Sequence, residues 1–464
     1  METLPPTKTI FEPFKIKMVE PLPILSLKER QSVLKESFYN LFSIPAKYVT
    51  FDLLTDSGTS AMSASQWAAI MEGDESYAGS DSYFRFSETI KDITGMKHVI
   101  PTHQGRSAEA LLSKAMLTPG QKVIGNTQFD TTRANIESVG CMSIDMPCKE
   151  SDDSQSTFPF KGNVDLEKLE KYLKEYSDQI PFFIMTVTNN SIGGQPVSME
   201  NIRKTKNLLN QYKIPMFIDA ARFAENSYFI KTREAEFSDS SVKDISKELF
   251  SYADGVLMSA KKDAFANIGG FLATNDDSLT QKVRQLMVIT EGFPTYGGLC
   301  GRDLDAIAVG LKEILNEDYL SYRKRSVEYF GSGLESIGLK VVKPFGGHAV
   351  YIDAGASLPH FPIEYYPAQA LSVALYEFIG LRSVEVGSVM FGRRNEETGK
   401  EEFVAKELVR LALPRRVYTQ SHVDYMIEKA GHAFSNFENL PGYKIDYQPK
   451  YLRHFTAKFS QVKF

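Results

Sequence analysis

Cysteine, long apolar runs and surplus positive charge are all scarce in this chain of 464 residues. Three cysteines, Cys141, Cys148 and Cys300, are too few for a disulfide framework, and no Cys/His grouping has zinc-site spacing, so all three read as structural thiols. No stretch approaches the continuous apolar length that crosses a bilayer, and the opening METLPPTKTIFEPFKIK has no apolar core of a signal peptide, so a cytoplasmic location away from membranes is expected. A net charge of −5 and a pI near 5.9 exclude the broad basic field that holds nucleic acid. Any small anion must therefore be caught locally. What the chain has in quantity is apolar material, 42% of its residues, enough to bury the core of one large domain and a smaller one.

From about His98 to Phe271, short apolar runs alternate with longer amphipathic ones, the pattern of strands and helices around a mostly parallel sheet. Strands are expected at His98–Pro101, Lys122–Gly125, Met142–Met146, Phe182–Val187, Met216–Asp219, Val256–Ser259 and Gly270–Ala273. Helical periodicity fits Ser107–Leu117, Leu166–Tyr176 and Met199–Tyr212. The polar tract Lys149–Pro159 reads as a surface excursion. One long helix is expected from Gly310 through Tyr329, followed by strands at Lys340–Lys343 and Ala349–Asp353 that open a second αβ domain. The expected division is an N-terminal segment, 1–50, packing on the small domain or a partner subunit, a large domain, 51–310, and a small domain, 311–464.

Three pieces of chemistry fall at expected strand ends. In VLMSAKKD, an apolar run ends in Ser259 and a lysine pair; a lysine held in a dry cleft there becomes a usable amine nucleophile, whereas two solvated lysines in a turn are the plain alternative. In FIDAAR, Asp219 ends a strand and can keep a pyridinium nitrogen protonated, or simply cap a helix. In PTHQGRSAEA, a strand runs into Gly105 and a helix start, where Gln104, Arg106 and backbone N–H groups could cradle a phosphate. Each is weak alone. Their order, phosphate loop, aspartate, lysine, at strand ends where α/β proteins bind ligands, is that of pyridoxal phosphate (PLP) enzymes of the aspartate aminotransferase fold.

The resemblance then becomes specific. The sequence resembles the β-eliminating lyases, the tryptophanase and tyrosine phenol-lyase family, over nearly its whole length. The matching stretches are FDLLTDSGT at Phe51–Thr59, GDESYAG at Gly73–Gly79, IPTHQGR at Ile100–Arg106, GGQPVS at Gly193–Ser198, ARFAENSYFIK at Ala221–Lys231, MSAKKD at Met258–Asp263, EGFPTYGGL at Glu291–Leu299, PAQAL at Pro367–Leu371 and LRHFTAK at Leu452–Lys458. The resemblance implies a type I PLP-dependent transferase fold, with Lys262 as the cofactor-linked lysine and α-proton base. It matches Asp219 to the ring-nitrogen partner and Arg222 to its neighbour near the ring hydroxyl. Gln104, Gly105, Arg106 and Ser259 match phosphate ligands, Phe129 the stacking aromatic, and Asn190 the residue at the ring oxygen. Tyr77 matches a proton-transferring tyrosine that reaches a neighbouring subunit's cofactor, and Tyr296 a residue at the same boundary, which implies a homo-oligomer, a tetramer built from dimers. Arg410 matches the binder of the substrate carboxylate, together with Thr55, Ser57 and Asn190; as an isolated arginine it would read as a surface charge. Potassium is implied at Glu75 with the carbonyls of Gly58 and Asn267, against a plain reading of Glu75 as a helix cap or salt-bridge partner.

The same resemblance frames the partner, a small-molecule amino-acid substrate. Tyrosine-cleaving members place an arginine where this chain has Val386, phenylalanine at His454 and threonine at Asp130. All three positions therefore favour cleavage of tryptophan to indole, pyruvate and ammonia, with Asp130 and His454 as catalytic or ring-binding residues. His454 as a C-terminal packing residue is the plain alternative. The compact Gln121–Arg133 region and Gly301–Asp303 look more like the tyrosine-cleaving members, which keeps phenol release as the alternative activity. A catalytically silent PLP-fold scaffold is a third reading, set against by the intact catalytic positions.

Overall fold

The computed structural model describes residues 9–395, 397–434, 439–450 and 452–464, in two compact units: Ser57–Leu320, and Met1–Asp56 together with Ser321–Phe464.

The larger unit is built on a seven-stranded sheet: β1 (His98–Thr102), β2 (Lys122–Gly125), β3 (Met142–Asp145), β4 (Phe183–Thr186), β5 (Met216–Asp219), β6 (Gly255–Ser259) and β7 (Gly270–Thr274). Their order across the sheet is β1-β7-β6-β5-β4-β2-β3. Pairs β6–β5, β5–β4, β4–β2 and β2–β3 are parallel, while β7 runs antiparallel to both β6 and β1. The exception has a simple cause: residues 260–269 are too few for a crossover, and antiparallel neighbours need none. Central strands β4, β6 and β7 are buried throughout, as a sheet covered on both faces requires. The helices between them include α1 (Gly105–Met116), α2 (Leu166–Tyr176) and α3 (Met199–Gln211).

The expected single helix from Gly310 to Tyr329 is two, α4 (Gly301–Glu313) and α5 (Glu317–Ser336). Asn316 ends the first run by capping the second, its side-chain oxygen accepting the Tyr319 N–H at 2.9 Å. The polar tract after Lys149 is pinned from below, because the buried Lys161 ammonium donates to the Asp153 carbonyl at 2.7 Å. Cys141 and Cys148 are buried as expected, but Cys300 is exposed at the start of α4.

The smaller unit holds a three-stranded antiparallel sheet of β8 (Ala349–Asp353), β9 (Val384–Val386) and β10 (Leu408–Ala412), with β10 in the middle. Lys340–Lys343 does not form the expected strand; Val341 alone bridges to Ile352. Helix α6 (Pro367–Ile379), buried along most of its length, packs against this sheet. The N-terminal helix Leu27–Glu36 lies on it, with the Arg30 guanidinium donating to the Glu377 and Phe378 carbonyls at 2.6 and 3.2 Å. Strands β11 (Gly442–Tyr447) and β12 (Lys458–Val462) pair antiparallel near the C-terminus.

Candidate active site

In the larger unit the three sequence motifs meet at one end of the sheet. β1 leads into α1, and Gln104, extended at φ −166°, is its N-cap but offers the helix no side-chain cap. The Ser107 N–H is bonded to the Gln104 carbonyl at 3.1 Å, which leaves the N–H groups of Gly105 and Arg106 for an outside acceptor. Gly105 lies on Ser259, the last residue of β6: a Cβ at position 105 would fall 2.7 Å from the Ser259 Cβ. Gly270 presses from β7, where a Cβ would fall 2.7 Å from the Gly105 nitrogen. Two missing side chains therefore let a helix N-terminus sit against a serine hydroxyl, and Arg106 follows at the surface. Positive helix end, free N–H groups and hydroxyl together suit a phosphate.

On the strand next to β6, Asp219 ends β5, paired with Thr186 of β4 and Leu257 of β6. Its carboxylate accepts the Ala221 N–H at 3.2 Å. Burial pushes its pKa upward, while the positive charge of Lys262, that N–H and the positive charge of Arg222 pull it back. Arg222 is buried and starts helix Phe223–Arg233, its own N–H reaching the Val187 carbonyl at 3.3 Å. Lys262 stands in the turn after β6, so that the lysine pair faces two environments. Lys261 packs on Gly58, whose Cβ would meet the lysine Cε at 2.7 Å, and burial with the nearby Arg106 charge lowers its pKa.

Beyond β4, the chain turns through Asn190 in a short 3-10 segment. Around it, Thr188 Oγ1, both side-chain polar atoms of Asn189 and Ser191 Oγ are buried without hydrogen-bond partners. Orphaned polar atoms at a strand end beside a ready phosphate cradle fit a polar, phosphate-bearing ring. Phe129 closes the same end of the sheet, immediately before helix Asp130–Ser138. Asp130 is buried, with Oδ1 accepting the Thr131 N–H at 2.6 Å.

Sequence reasoning missed Glu109, one turn into α1. Burial, then the Asp219 charge, raise it to about 7, against the stabilising Thr131 and Thr132 hydroxyls. Its spacing from Gly105, one helical turn, was the only available signal.

Tyr77 and Tyr296 contact each other, ring centroids 5.3 Å apart, and Phe293 joins them at 5.5 Å from Tyr77. Tyr77 is 68% exposed, and its hydrogen bond with the Tyr296 phenol raises its pKa. The expected cation ligands divide. Gly58 and Asn267 adjoin, the Asn267 amide donating to the Gly58 carbonyl at 3.0 Å. Glu75 instead caps α4, accepting the Gly301 and Arg302 N–H groups at 2.8 and 3.3 Å. Ser57 precedes Gly58 in the same loop.

The smaller unit holds the remaining residues expected from the sequence. Arg410, buried on β10 opposite Tyr351 and Val384, donates to the Leu54 carbonyl at 3.2 Å, next to Thr55. It is not the surface charge that an isolated arginine would suggest. Val386 ends β9, buried among Val342, Tyr351, Leu408 and Ala412. His454 is buried, its ring 4.0 Å from Phe455 and 5.7 Å from Phe42. A further missed pair, Glu385 and Glu407, lies beneath the Val386 loop. Glu385 accepts the Val389 and Met390 N–H groups at 2.9 Å each, and Glu407 accepts that of Ser388 at 2.8 Å.

Residues 52–429 match the family model described as beta-eliminating lyase. A tryptophanase from Salinibacter ruber is 56% identical over 97% of this chain and 95% of its own length. A tryptophanase from Rhodobacter capsulatus is 52% identical over 98% and 100%. A tyrosine phenol-lyase from Pasteurella multocida is 47% identical over 97% and 98%. Among solved structures, Sphingomonas wittichii serine palmitoyltransferase matches with a TM-score of 0.60 at 12% identity, covering 89% of this chain and 98% of that one. Bna3p from Saccharomyces cerevisiae reaches 0.62 at 16%, covering 88% and 95%. These likenesses concern the fold, that of type I PLP-dependent enzymes.

Proposed function

Since the chain belongs to the β-eliminating lyase family, we propose that it cleaves L-tryptophan to indole, pyruvate and ammonia with PLP as cofactor. The observation that carries the choice of substrate is the gradient of identity, 52–56% to tryptophanases against 47% to a tyrosine phenol-lyase, at almost full coverage of each.

Bound PLP supplies a ring that accepts the electron pair of the substrate α-carbon. The chain's residues do the rest. Gln104, Gly105, Arg106 and Ser259 would hold the phosphate, and Phe129 would cover the ring. Asn190 and Arg222 would hold the ring oxygen, and the Asp219 carboxylate would keep a proton at the ring nitrogen. Lys262 would hold the cofactor through its amine and, once the substrate amine is in its place, would take the proton from the α-carbon. Arg410, with Thr55, Ser57 and Asn190, grips the substrate carboxylate, for which a planar guanidinium fork is suited. Tyr77 passes a proton to the indole ring carbon, because an unprotonated indole is a poor leaving group; Asp130 and His454 face the indole, and Val386 leaves no partner for a phenol oxygen. Tyr77 and Tyr296 complete a neighbour's site, so the active unit is at least a dimer, paired into a tetramer in the cytoplasm. Potassium belongs to the same proposal: the carbonyls of Gly58 and Asn267 would hold it, and Glu75, which within one chain caps α4, would join them only by giving up that cap or from a neighbouring subunit.

The test is direct: purified protein with PLP and potassium is given L-tryptophan or L-tyrosine, and indole, phenol and pyruvate are assayed. Indole release at the higher kcat/KM is expected. Faster phenol release would replace the substrate while leaving the family intact.

A further inference from the structure

A chain of hydrogen bonds runs from Glu291 through His103 to Gln104. The Glu291 carboxylate, 7% exposed, is bonded to His103 Nδ1 and accepts the His103 backbone N–H at 3.2 Å. On the other side of the imidazole, Gln104 Nε2 lies 3.1 Å from His103 Nε2. An amide nitrogen can only donate, and a carboxylate can only accept, so the ring carries its proton on Nδ1 and accepts on Nε2. Ser107 Oγ lies 3.1 Å from Nδ1 and 3.4 Å from Nε2, so its rotatable hydroxyl can accept from the one or donate to the other. An amide nitrogen has two hydrogens. With one engaged by His103, the direction of the other is fixed.

The segment bearing Glu291 is built to lie there. Gly297, at φ +59°, passes so close to β1 that a Cβ would fall 2.0 Å from the Pro101 carbonyl oxygen. At Gly298, φ +77°, a Cβ would fall 2.9 Å from the Glu291 carbonyl oxygen and 3.5 Å from the His103 Cβ. Left-handed backbone and absent side chains together fold residues 291–299 onto the end of β1. Tyr296 lies in this same segment.

We infer that Glu291 and His103 are positioning residues for the cofactor phosphate: they orient the Gln104 carboxamide so that its second N–H meets a phosphate oxygen. This rests on the PLP reading, and it adds two residues with no role in that mechanism.

The test compares PLP with pyridoxal, which has the same ring and aldehyde but no phosphate, each titrated into the full-length apoprotein and followed by cofactor absorbance. His103→Leu is expected to weaken PLP about tenfold, the scale of one charge-assisted hydrogen bond, and to leave pyridoxal unchanged. His103→Gln, whose side-chain oxygen can accept from Gln104, restores most of the loss. Glu291→Gln, whose side-chain oxygen can still accept the His103 backbone N–H while the carboxylate charge beside Nδ1 is lost, shows the same pattern with smaller amplitude and serves if His103→Leu fails to fold. Equal losses for both ligands would reduce the relay to general support and overturn the inference, as would unchanged PLP binding. A parent protein that binds neither ligand overturns the cofactor reading itself, a result distinct from either of these.

Discussion

Two carboxyls that burial drives upward, Asp219 in the larger unit and Glu385 in the smaller, meet opposite neighbours. Around Asp219, the charges of Lys262 and Arg222 oppose the upward push of burial. Around Glu385, the charge of Glu407 adds to it, and the carboxyl rises to about 8 despite the N–H groups of Val389, Gly387 and Met390. Glu407 is itself raised, chiefly by burial. Both carboxyls are raised, Asp219 against opposing positive charges and Glu385 with a second carboxyl beside it, so the proton retained to about pH 8 belongs to the Glu385 centre. Asp219 stands at a strand end among residues of the cofactor cradle. The proton is part of a clasp, since a Cβ on Gly387 would fall 2.7 Å from Glu385 Oε1 and 2.9 Å from Glu407 Oε2. That clasp fixes the loop immediately after Val386.

The largest expected effect sharpens the first centre. Lys262→Ala should lower pyruvate release by at least about 10⁴-fold, since it removes a nucleophile and a base in one side chain. Lys261→Ala should leave the cofactor attached. Borohydride reduction and peptide mapping identify the linked lysine, and a pyridoxyl label on Lys261 would sink the assignment. Next comes Asp219→Asn, which keeps the shape and removes the charge: kcat should fall on the order of 10²–10⁴-fold, the usual scale of a lost proton-holding group, with PLP still retained on dialysis. Unchanged kcat would mean that the charge has no part in the chemistry.

The second centre breaks in a different way. Between pH 4.5 and about 8 the folded chain holds a proton at Glu385 that the unfolded chain releases. Folding stability from this group is thus fully present below pH 4.5 and is lost as pH rises toward 8, by at most roughly 1.4 kcal/mol per pH unit. Glu385→Gln removes that slope and keeps the shape, its side-chain oxygen still able to accept from the loop. Urea unfolding of the isosteric pair at pH 6 and pH 8.5 should show the variant gaining relative to the parent at the higher pH. A relative gain at the lower pH instead would reverse the protonation assigned here.

The contrast also explains what could be read from residues alone. The phosphate cradle, Asp219 and the lysine pair were legible because each depends on a strand, a turn and the next few residues, all contiguous. The antiparallel course of β7 was not, because Gly270–Ala273 is apolar in either direction and only the brevity of 260–269 settles it. Neither the Glu385–Glu407 clasp nor the Glu291–His103 contact could be anticipated; the latter joins residues 188 positions apart. Glu385 sits between two valines in a strand, where alternation suggests a solvent-facing glutamate, yet both faces of β9 are covered. Cys300 errs in the opposite sense: a small thiol between Leu299 and Gly301 suggests a core position, but it is the exposed N-cap of α4.

The smallest expected effect concerns His454, whose two readings the structure brings face to face. Its ring is buried between Phe42 and Phe455, an environment that a phenylalanine would also satisfy. If packing is its only task, His454→Phe should be close to neutral for every substrate, since shape and apolar area are nearly conserved. If the imidazole is part of the polar wall that meets indole, the substitution deprives the larger substrate of a hydrogen-bonding partner and costs about 1–3 kcal/mol, roughly ten- to a hundredfold in kcat/KM for tryptophan. A substrate too short to reach that wall reports on the common machinery alone. S-methylcysteine meets this requirement, so its kcat/KM should stay within about threefold of the parent, a margin of some 0.6 kcal/mol. The ratio of the two substrates is the informative quantity, because a change in folding or cofactor content moves both together. A drop confined to tryptophan places His454 at the indole; no change, or an equal change for both, assigns it to packing, and the tryptophan preference then rests on Val386 and Asp130.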